Sequence, residues 1–96
     1  MRDITPAEVH DRPLVDVREA DEWQAGHAEG AIHIPMSEIM ARIGEVPDGA
    51  AVICRSGARS GRVVAFLEQR GREAVNVAGG TVQWAAEGRP MVGSVD

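Results

Sequence analysis

The sequence contains no tyrosine and a single cysteine, and all ten of its basic residues are arginine. One cysteine permits no internal disulfide, and it leaves no second thiol to resolve a group bound to Cys54. Aromatic residues make up only 3% of the chain, so aliphatic side chains must supply most of the core. Any covalent chemistry at Cys54 must therefore end on an external acceptor.

Long apolar runs and a signal peptide are also lacking. No run approaches the roughly 20 residues that a membrane-spanning helix needs. The N-terminus lacks the charged and apolar regions of a secretory signal. We therefore expect a cytoplasmic protein without a membrane partner. A net charge of −5 argues against nucleic acid as a partner. The use of arginine alone, with abundant alanine, glycine and valine, indicates compositional bias and a bacterial source.

Short apolar runs alternate with helical patterns along the chain, which is typical of βαβ units and a parallel sheet. Strands are predicted at 14–17, 31–34, 51–53 and 74–77. Helices are predicted from Thr5 to before Pro13, over 19–25, after Ser37, from the cysteine loop to about 70, and over 81–87. No repeat or linker interrupts this order, so residues 1–96 are expected to form one α/β domain.

The loop after the strand at 51–53 is the most informative segment, with the sequence Cys54-Arg55-Ser56-Gly57-Ala58-Arg59-Ser60. A strand that turns through such a loop into a helix makes an anion cradle, because backbone N–H groups and the positive helix end converge. A cysteine there favours the reactive thiolate. Residues 54–72 carry five arginines against one acid, so this segment is locally positive on an acidic chain and suits a small anionic substrate.

Three segments of the chain resemble the rhodanese domain. They are the loop at 54–60, the stretch from Asp16-Val17-Arg18 through Glu22-Trp23, Gly26-His27, Gly30-Ala31 and Pro35, and Asn76-Val77-Ala78-Gly79-Gly80 followed by Trp84, Gly88 and Pro90. They cover nearly the whole chain in the family's order. Ala28 departs from the pattern, since the family usually has a larger aliphatic residue there, and this concerns loop packing alone.

The resemblance implies a single rhodanese-like domain, in which a parallel sheet of about five strands carries helices on both faces. It also implies a sulfurtransferase that holds sulfane sulfur as a persulfide on Cys54. The donor would be thiosulfate or a similar small anion, and the acceptor would be an external thiol, cyanide or a protein. The substrate would be bound by the rest of the loop, which comprises Arg55, Ser56, Gly57, Ala58, Arg59 and Ser60.

A second reading of the same loop is a persulfide carrier that serves a protein partner and turns over small molecules weakly. A phosphatase is disfavoured by loop length. Six residues span Cys54 to Arg59, whereas the related dual-specificity phosphatases and arsenate reductases have one residue more. The shorter loop resembles those of sulfur-handling members.

Each loop residue also has a simpler interpretation. Cys54 could be an inert buried thiol, although its place in an arginine- and glycine-rich loop argues against this. Arg55 and Arg59 could be solvated surface charges. Ser56 and Ser60 either donate to the persulfide or only support the loop.

Other residues of the resemblance are assigned to structural support. Asp16 and Arg18 fit a strand-end ion pair that fixes loops better than a general acid. His27 is expected to be structural, and with His33 alone it forms no metal-ligand set, so no metal or cofactor is expected. Trp84 should pack in the core beneath Gly79-Gly80, where glycine lets the backbone approach the active loop.

Overall fold

A five-stranded parallel sheet forms the centre of the computed structural model, which describes residues 2–94. The strands in chain order are β1 (Asp3–Ile4), β2 (Leu14–Asp16), β3 (Gly26–Ala28), β4 (Ile32–His33), β5 (Ala50–Ile53), β6 (Ala74–Val77) and β7 (Met91–Gly93). The helices are α1 (Ala20–Ala25), α2 (Ala58–Gln69) and α3 (Gly80–Ala86). The sheet has the order β1-β6-β5-β2-β4, and every neighbouring pair is parallel. The predicted sheet is therefore confirmed.

Strand β5 lies in the middle of the sheet and is buried on both faces. Its residue Val52 joins a cluster with Val63 and Leu67 of α2, whereas Ile53 joins a second cluster with Trp84 of α3. Because successive strand side chains point to opposite faces, the continuous apolar run covers both sides. The prediction of helices on both faces is thus confirmed. No helix within residues 2–94 has the length and apolar content to cross a membrane.

Two predicted helices are wrong. The segment after Thr5 forms only a 3-10 turn over Pro6–Glu8, and the segment after Ser37 forms two, over Met36–Glu38 and Ile43–Glu45. The apolar spacing of the second segment is helical, but Gly44 and then Pro47 follow within one turn, and both are unfavourable in a helix interior. The residues at helical spacing are Met36, Ile39, Met40 and Ile43, and a helix would pack all of them on the sheet. Met40 is instead 69% exposed.

Strand β1 and the antiparallel β3–β7 pair were not predicted. Strand β1 has two residues, which is too short to give a periodic pattern, yet it pairs Asp3 with Asn76 and Ile4 with Val77. In the β3–β7 pair, Gly26 lies against the backbone of Ser94 so closely that a Cβ would collide with it. Strand β1 matters for function because it places Asp3 beside the end of β6.

Candidate active site

Cys54 lies at the carboxyl end of the central strand β5, where ligands of parallel α/β sheets usually bind. Its side chain is on the α2 face of the sheet, and the residue is only 1% exposed. The chain turns from β5 into α2 at Gly57, which has a φ of 104°. This left-handed conformation favours glycine, and it turns the chain into α2. The Gly57 N–H donates to the Cys54 sulfur at 3.1 Å.

The Cys54 sulfur also accepts a hydrogen bond from the Ser60 hydroxyl at 3.2 Å. Burial raises the pKa of the Cys54 thiol. Hydrogen bonds from the Ser60 side chain and from the backbone N–H groups of Ser60, Gly57 and Ser56 outweigh this effect, so the pKa is lowered from its ordinary value of 9.0. The hydrogen bonds at this site therefore favour the thiolate form of Cys54.

A buried asparagine connects the sulfur's donors to the rest of the sheet. Asn76, on β6, has its Oδ1 within hydrogen-bond distance of the Ser60 hydroxyl, and it shares the single hydrogen of that hydroxyl with the Cys54 sulfur. Its Nδ2 donates to the Gly57 carbonyl and to the Asp3 carboxylate, each at 3.2 Å. Because both donor hydrogens are used there, Oδ1 is held toward Ser60. Sequence reasoning quoted Asn76 only within the family motif and missed Asp3, since neither lies near Cys54 in the chain.

The first turn of α3 donates hydrogen bonds to the backbone of the cysteine loop. The N–H of Thr81 donates to the Cys54 carbonyl at 2.8 Å, and the N–H of Val82 donates to the Arg55 carbonyl at 3.2 Å. Gly80 has a φ of 57°, and a Cβ on it would collide with the Cys54 carbonyl oxygen. The close approach expected of Gly79-Gly80 is therefore made at Gly80. At Gly79 a Cβ would instead meet Gln83 of the same helix.

Arg59 forms an ion pair that sequence reasoning did not assign. Its guanidinium donates two hydrogen bonds to the Glu22 carboxylate, at 2.6 and 2.8 Å. The hydrogen bond from Arg59 holds the pKa of Glu22 down at about 2, from an ordinary value of 4.5. Hydrogen bonding to Glu22, and to a smaller extent the charge of Cys54, raises the pKa of Arg59. Arg59 is thus a cation paired with Glu22, whereas the sequence predicted a substrate-binding residue or, alternatively, a solvated surface charge.

The remaining loop residues face outward. Arg55, Ser56 and Ala58 are exposed, while Ser60 is fully buried toward the sulfur. The structure therefore gives different positions to Ser56 and Ser60, whose roles the sequence did not distinguish. The hydroxyl of Ser60 contacts the sulfur, whereas Ser56 acts on the pKa of Cys54 through its backbone N–H.

Asp16 and Arg18 form a buried ion pair at the end of β2, with side chains 0% and 3% exposed. Three hydrogen bonds of 2.8–3.1 Å join the guanidinium to the carboxylate. Arg18 also donates to the Gly26 carbonyl at 2.7 Å, which ties β2 to the start of β3. Both carboxylate oxygens of Asp16 accept hydrogen bonds from the Arg18 guanidinium, so the geometry of the pair is that of a structural support.

Two histidines enclose Trp23. His27 stacks on the indole with ring centroids 3.5 Å apart, and His33 stacks at 4.7 Å. His27 Nδ1 lies 2.9 Å from the Trp23 carbonyl, and His33 Nε2 lies 2.7 Å from the Arg18 carbonyl. Since a carbonyl only accepts, both nitrogens carry hydrogen. Within residues 2–94, no three His, Cys, Asp or Glu side chains gather as metal ligands.

Trp84 lies on the other face of the sheet from Cys54. It is 9% exposed, packs in the second core cluster and donates its Nε1–H to the Pro90 carbonyl at 2.9 Å. Its hydrogen bond to Pro90 holds the segment after α3 against the sheet.

Comparisons with protein families, with individual relatives and with solved structures all lead to rhodanese-like proteins or sulfurtransferases. Residues 4–87 match the family described as "Rhodanese-like domain". The chain is 40% identical over 89 residues to a sulfurtransferase of Allochromatium vinosum, which covers 90% of this chain and 83% of that protein. It is 39% identical over 70 residues to the thiosulfate sulfurtransferase PspE of Escherichia coli, covering 69% of this chain and 67% of that protein. A rhodanese-related protein from Thermoplasma volcanium has a similar structure, with a TM-score of 0.88, 36% identity and coverage of 96% and 98%.

The close packing of Gly80 against the loop predicts that Gly80→Ala strongly destabilises the protein. Gly88→Ala is the matched control, because Gly88 also has a positive φ, of 71°, but a Cβ there would meet nothing within 4 Å. The control should lose about 1–2 kcal/mol of unfolding free energy from the left-handed backbone alone. Gly80→Ala should lose roughly 3 kcal/mol or more, because the Cys54 carbonyl must also move. Equal losses in denaturant titrations would contradict the packing argument.

The hydrogen bond from Ser60 predicts that Ser60→Ala raises the pKa of Cys54. The alkylation rate of Cys54 rises with pH through its pKa and levels off above it, because only the thiolate reacts. The wild-type midpoint should lie below 9.0, and in Ser60→Ala it should move to higher pH. Ser56→Ala keeps the backbone donor and removes only an exposed hydroxyl, so its midpoint should not move. A shift in the control, or none in Ser60→Ala, would refute the assignment of the donor.

Proposed function

This chain belongs to the family of rhodanese-like domains, and from that premise we propose that it transfers sulfane sulfur through a persulfide on Cys54. The family's relatives named above are sulfurtransferases. The observation that carries the proposal is the buried Cys54 sulfur, which receives hydrogen bonds of 3.1 and 3.2 Å from Gly57 and Ser60. Such a site holds a nucleophilic thiolate and offers the same donors to an anion bound on it.

The proposed reaction has two balanced steps. The Cys54 thiolate attacks the outer sulfur of thiosulfate, the sulfur–sulfur bond of thiosulfate breaks, and sulfite leaves with the bonding electron pair. The product is a Cys54 persulfide anion. A nucleophile such as cyanide or a thiolate then attacks the terminal sulfur, and Cys54 leaves as the thiolate. No proton, oxidant or cofactor is needed, and the scheme predicts ping-pong kinetics.

Thiosulfate or a similar small anion is the proposed donor. The loop's backbone N–H groups and the N-terminal end of α2 converge on the end of β5, which favours negative charge there. The exposed Arg55 lies in the same loop and adds to this field. The six-residue span from Cys54 to Arg59 suits a sulfur atom on the thiolate better than a tetrahedral phosphate around it.

The proposed acceptor is an external thiol, cyanide or a protein. Cys54 is the only cysteine of the chain, so the persulfide sulfur has no internal thiol to move to. The same fact favours a persulfide carrier as the second candidate. Slow turnover of thiosulfate with cyanide, together with fast sulfur exchange to a protein acceptor, would identify the carrier.

The nucleophile is tested by sulfur loading. Wild-type protein incubated with thiosulfate should gain one sulfur atom by intact mass spectrometry, and cyanide should remove it. Cys54→Ser should gain none, because a hydroxyl is not ionised at neutral pH, and it should unfold at a similar temperature because the side chains have nearly the same size. Sulfur loading or substantial thiosulfate:cyanide activity in the folded variant would rule out Cys54 as the sulfur-carrying residue.

The loop length predicts which anion is turned over. Thiosulfate with cyanide should give thiocyanate, whereas an aryl phosphate such as p-nitrophenyl phosphate should not be hydrolysed above the rate of Cys54→Ser. Both assays use the same protein and buffer, so the comparison isolates the bound group. Efficient, Cys54-dependent phosphate hydrolysis would overturn the size argument.

A further inference from the structure

The ion pair between Glu22 and Arg59 places a negative charge at the active-site loop. Helix α1 follows β2, and β2 pairs directly with β5, so α1 and the cysteine loop lie at the same edge of the sheet. Glu22 receives two hydrogen bonds from Arg59, at 2.6 and 2.8 Å, and accepts a third from the Glu19 N–H at 3.2 Å. These contacts hold its carboxylate beside the second residue of α2.

The pair is accessible to solvent. The Arg59 and Glu22 side chains are 32% and 27% exposed, in contrast to the sealed pair of Asp16 and Arg18. An incoming donor therefore meets the field of both groups. Because the two charges nearly cancel, Arg59 attracts an anion far less than an unpaired arginine would.

Charge number decides which donor is affected most. Thiosulfate is a dianion at neutral pH, whereas a thiosulfonate has the same sulfane sulfur and a single negative charge. The interaction with Glu22 scales with the charge of the donor. In water-like surroundings, a unit charge about 8 Å from a dianion changes a rate constant by about fivefold, and for a monoanion by about twofold.

We propose that Glu22 is a specificity-determining residue that shifts donor preference from dianionic thiosulfate toward sulfane donors with one negative charge. The inference rests on the sulfur transfer proposed above and deepens it. Glu22 does not contact the sulfur of Cys54, and its effect on the donor runs through the net charge that Arg59 presents.

The test compares kcat/KM for thiosulfate and for methanethiosulfonate. In both reactions the Cys54 thiolate attacks the sulfane sulfur, and sulfite or methanesulfinate leaves. Glu22→Gln keeps the size of the side chain and removes its charge, so thiosulfate should gain about fivefold and the thiosulfonate about twofold. The ratio of kcat/KM for thiosulfate to kcat/KM for methanethiosulfonate should thus rise by about two- to threefold, and this rise should be smaller in high salt.

Two further variants make the result interpretable. Asp21→Asn removes a neighbouring acid of α1 that is exposed and, within residues 2–94, makes no hydrogen bond or ion pair, so the ratio should change less than in Glu22→Gln. Arg59→Gln leaves Glu22 unneutralised, so the ratio should fall below wild type. A ratio that stays constant in Glu22→Gln would overturn the proposal. If that variant does not fold, a constant ratio in Arg59→Gln would do so.

A second readout does not depend on sulfur transfer. Iodoacetate and iodoacetamide alkylate Cys54 with loss of iodide and differ mainly in one negative charge. Glu22→Gln should raise the ratio of the iodoacetate rate to the iodoacetamide rate by about twofold, and Asp21→Asn should raise it less. An unchanged ratio in Glu22→Gln refutes the role of Glu22. A shifted ratio in a protein that transfers no sulfur from either donor refutes the proposed function instead.

Discussion

A thiolate that is almost fully removed from water must be stabilised by hydrogen bonds, and the arrangement around Cys54 follows from this constraint. Burial alone would keep the thiol protonated. The donors that reverse this are the N–H of Gly57 and the hydroxyl of Ser60, with backbone N–H groups of the loop. The left-handed conformation of Gly57 turns the chain into α2, which begins at Ala58 and brings the Ser60 hydroxyl to the sulfur. Gly57 and Ser60 are thus the loop positions whose hydrogen bonds to the sulfur depend on this turn.

The loop is held from two other strands of the sheet as well. Asn76 joins the Gly57 carbonyl and the Ser60 hydroxyl to β6, and Asp3 of the edge strand β1 accepts from the same amide. On the other side, the N–H groups that begin α3 bind the carbonyls of Cys54 and Arg55. Elements from distant parts of the chain therefore fix one short turn, which keeps the donors aimed when the sulfur changes its charge or its substituent.

The sequence was sufficient for the parts of the structure that are encoded locally. Apolar runs of three or four residues marked the inner strands, and the residue types of the loop at 54–60 indicated an anion cradle around Cys54. What the sequence did not show depends on distant pairing. Strand β1 has two residues and exists only because β6 lies beside it. The partner of Arg59 lies 37 positions away, and only the adjacency of β2 and β5 would have indicated it. The helix predicted after Ser37 was wrong because its apolar spacing is helical, but Gly44 and Pro47 disfavour a continuous helix there.

Two arginine–carboxylate pairs differ in burial, and this difference decides whether a pair stabilises the fold or affects the choice of sulfur donor. Asp16 and Arg18 are sealed, so removing either partner leaves an uncompensated charge in the interior, which typically costs about 3–5 kcal/mol. Glu22 and Arg59 are partly exposed, and such pairs contribute little to stability, roughly 0–1 kcal/mol. A pair of small stability value can change its charge without loss of the fold. Under the proposed sulfur transfer, the same change beside Cys54 alters which donors approach. The preference for donor charge can therefore vary at the exposed pair of Glu22 and Arg59. The buried pair of Asp16 and Arg18 instead maintains the structure at the end of β2.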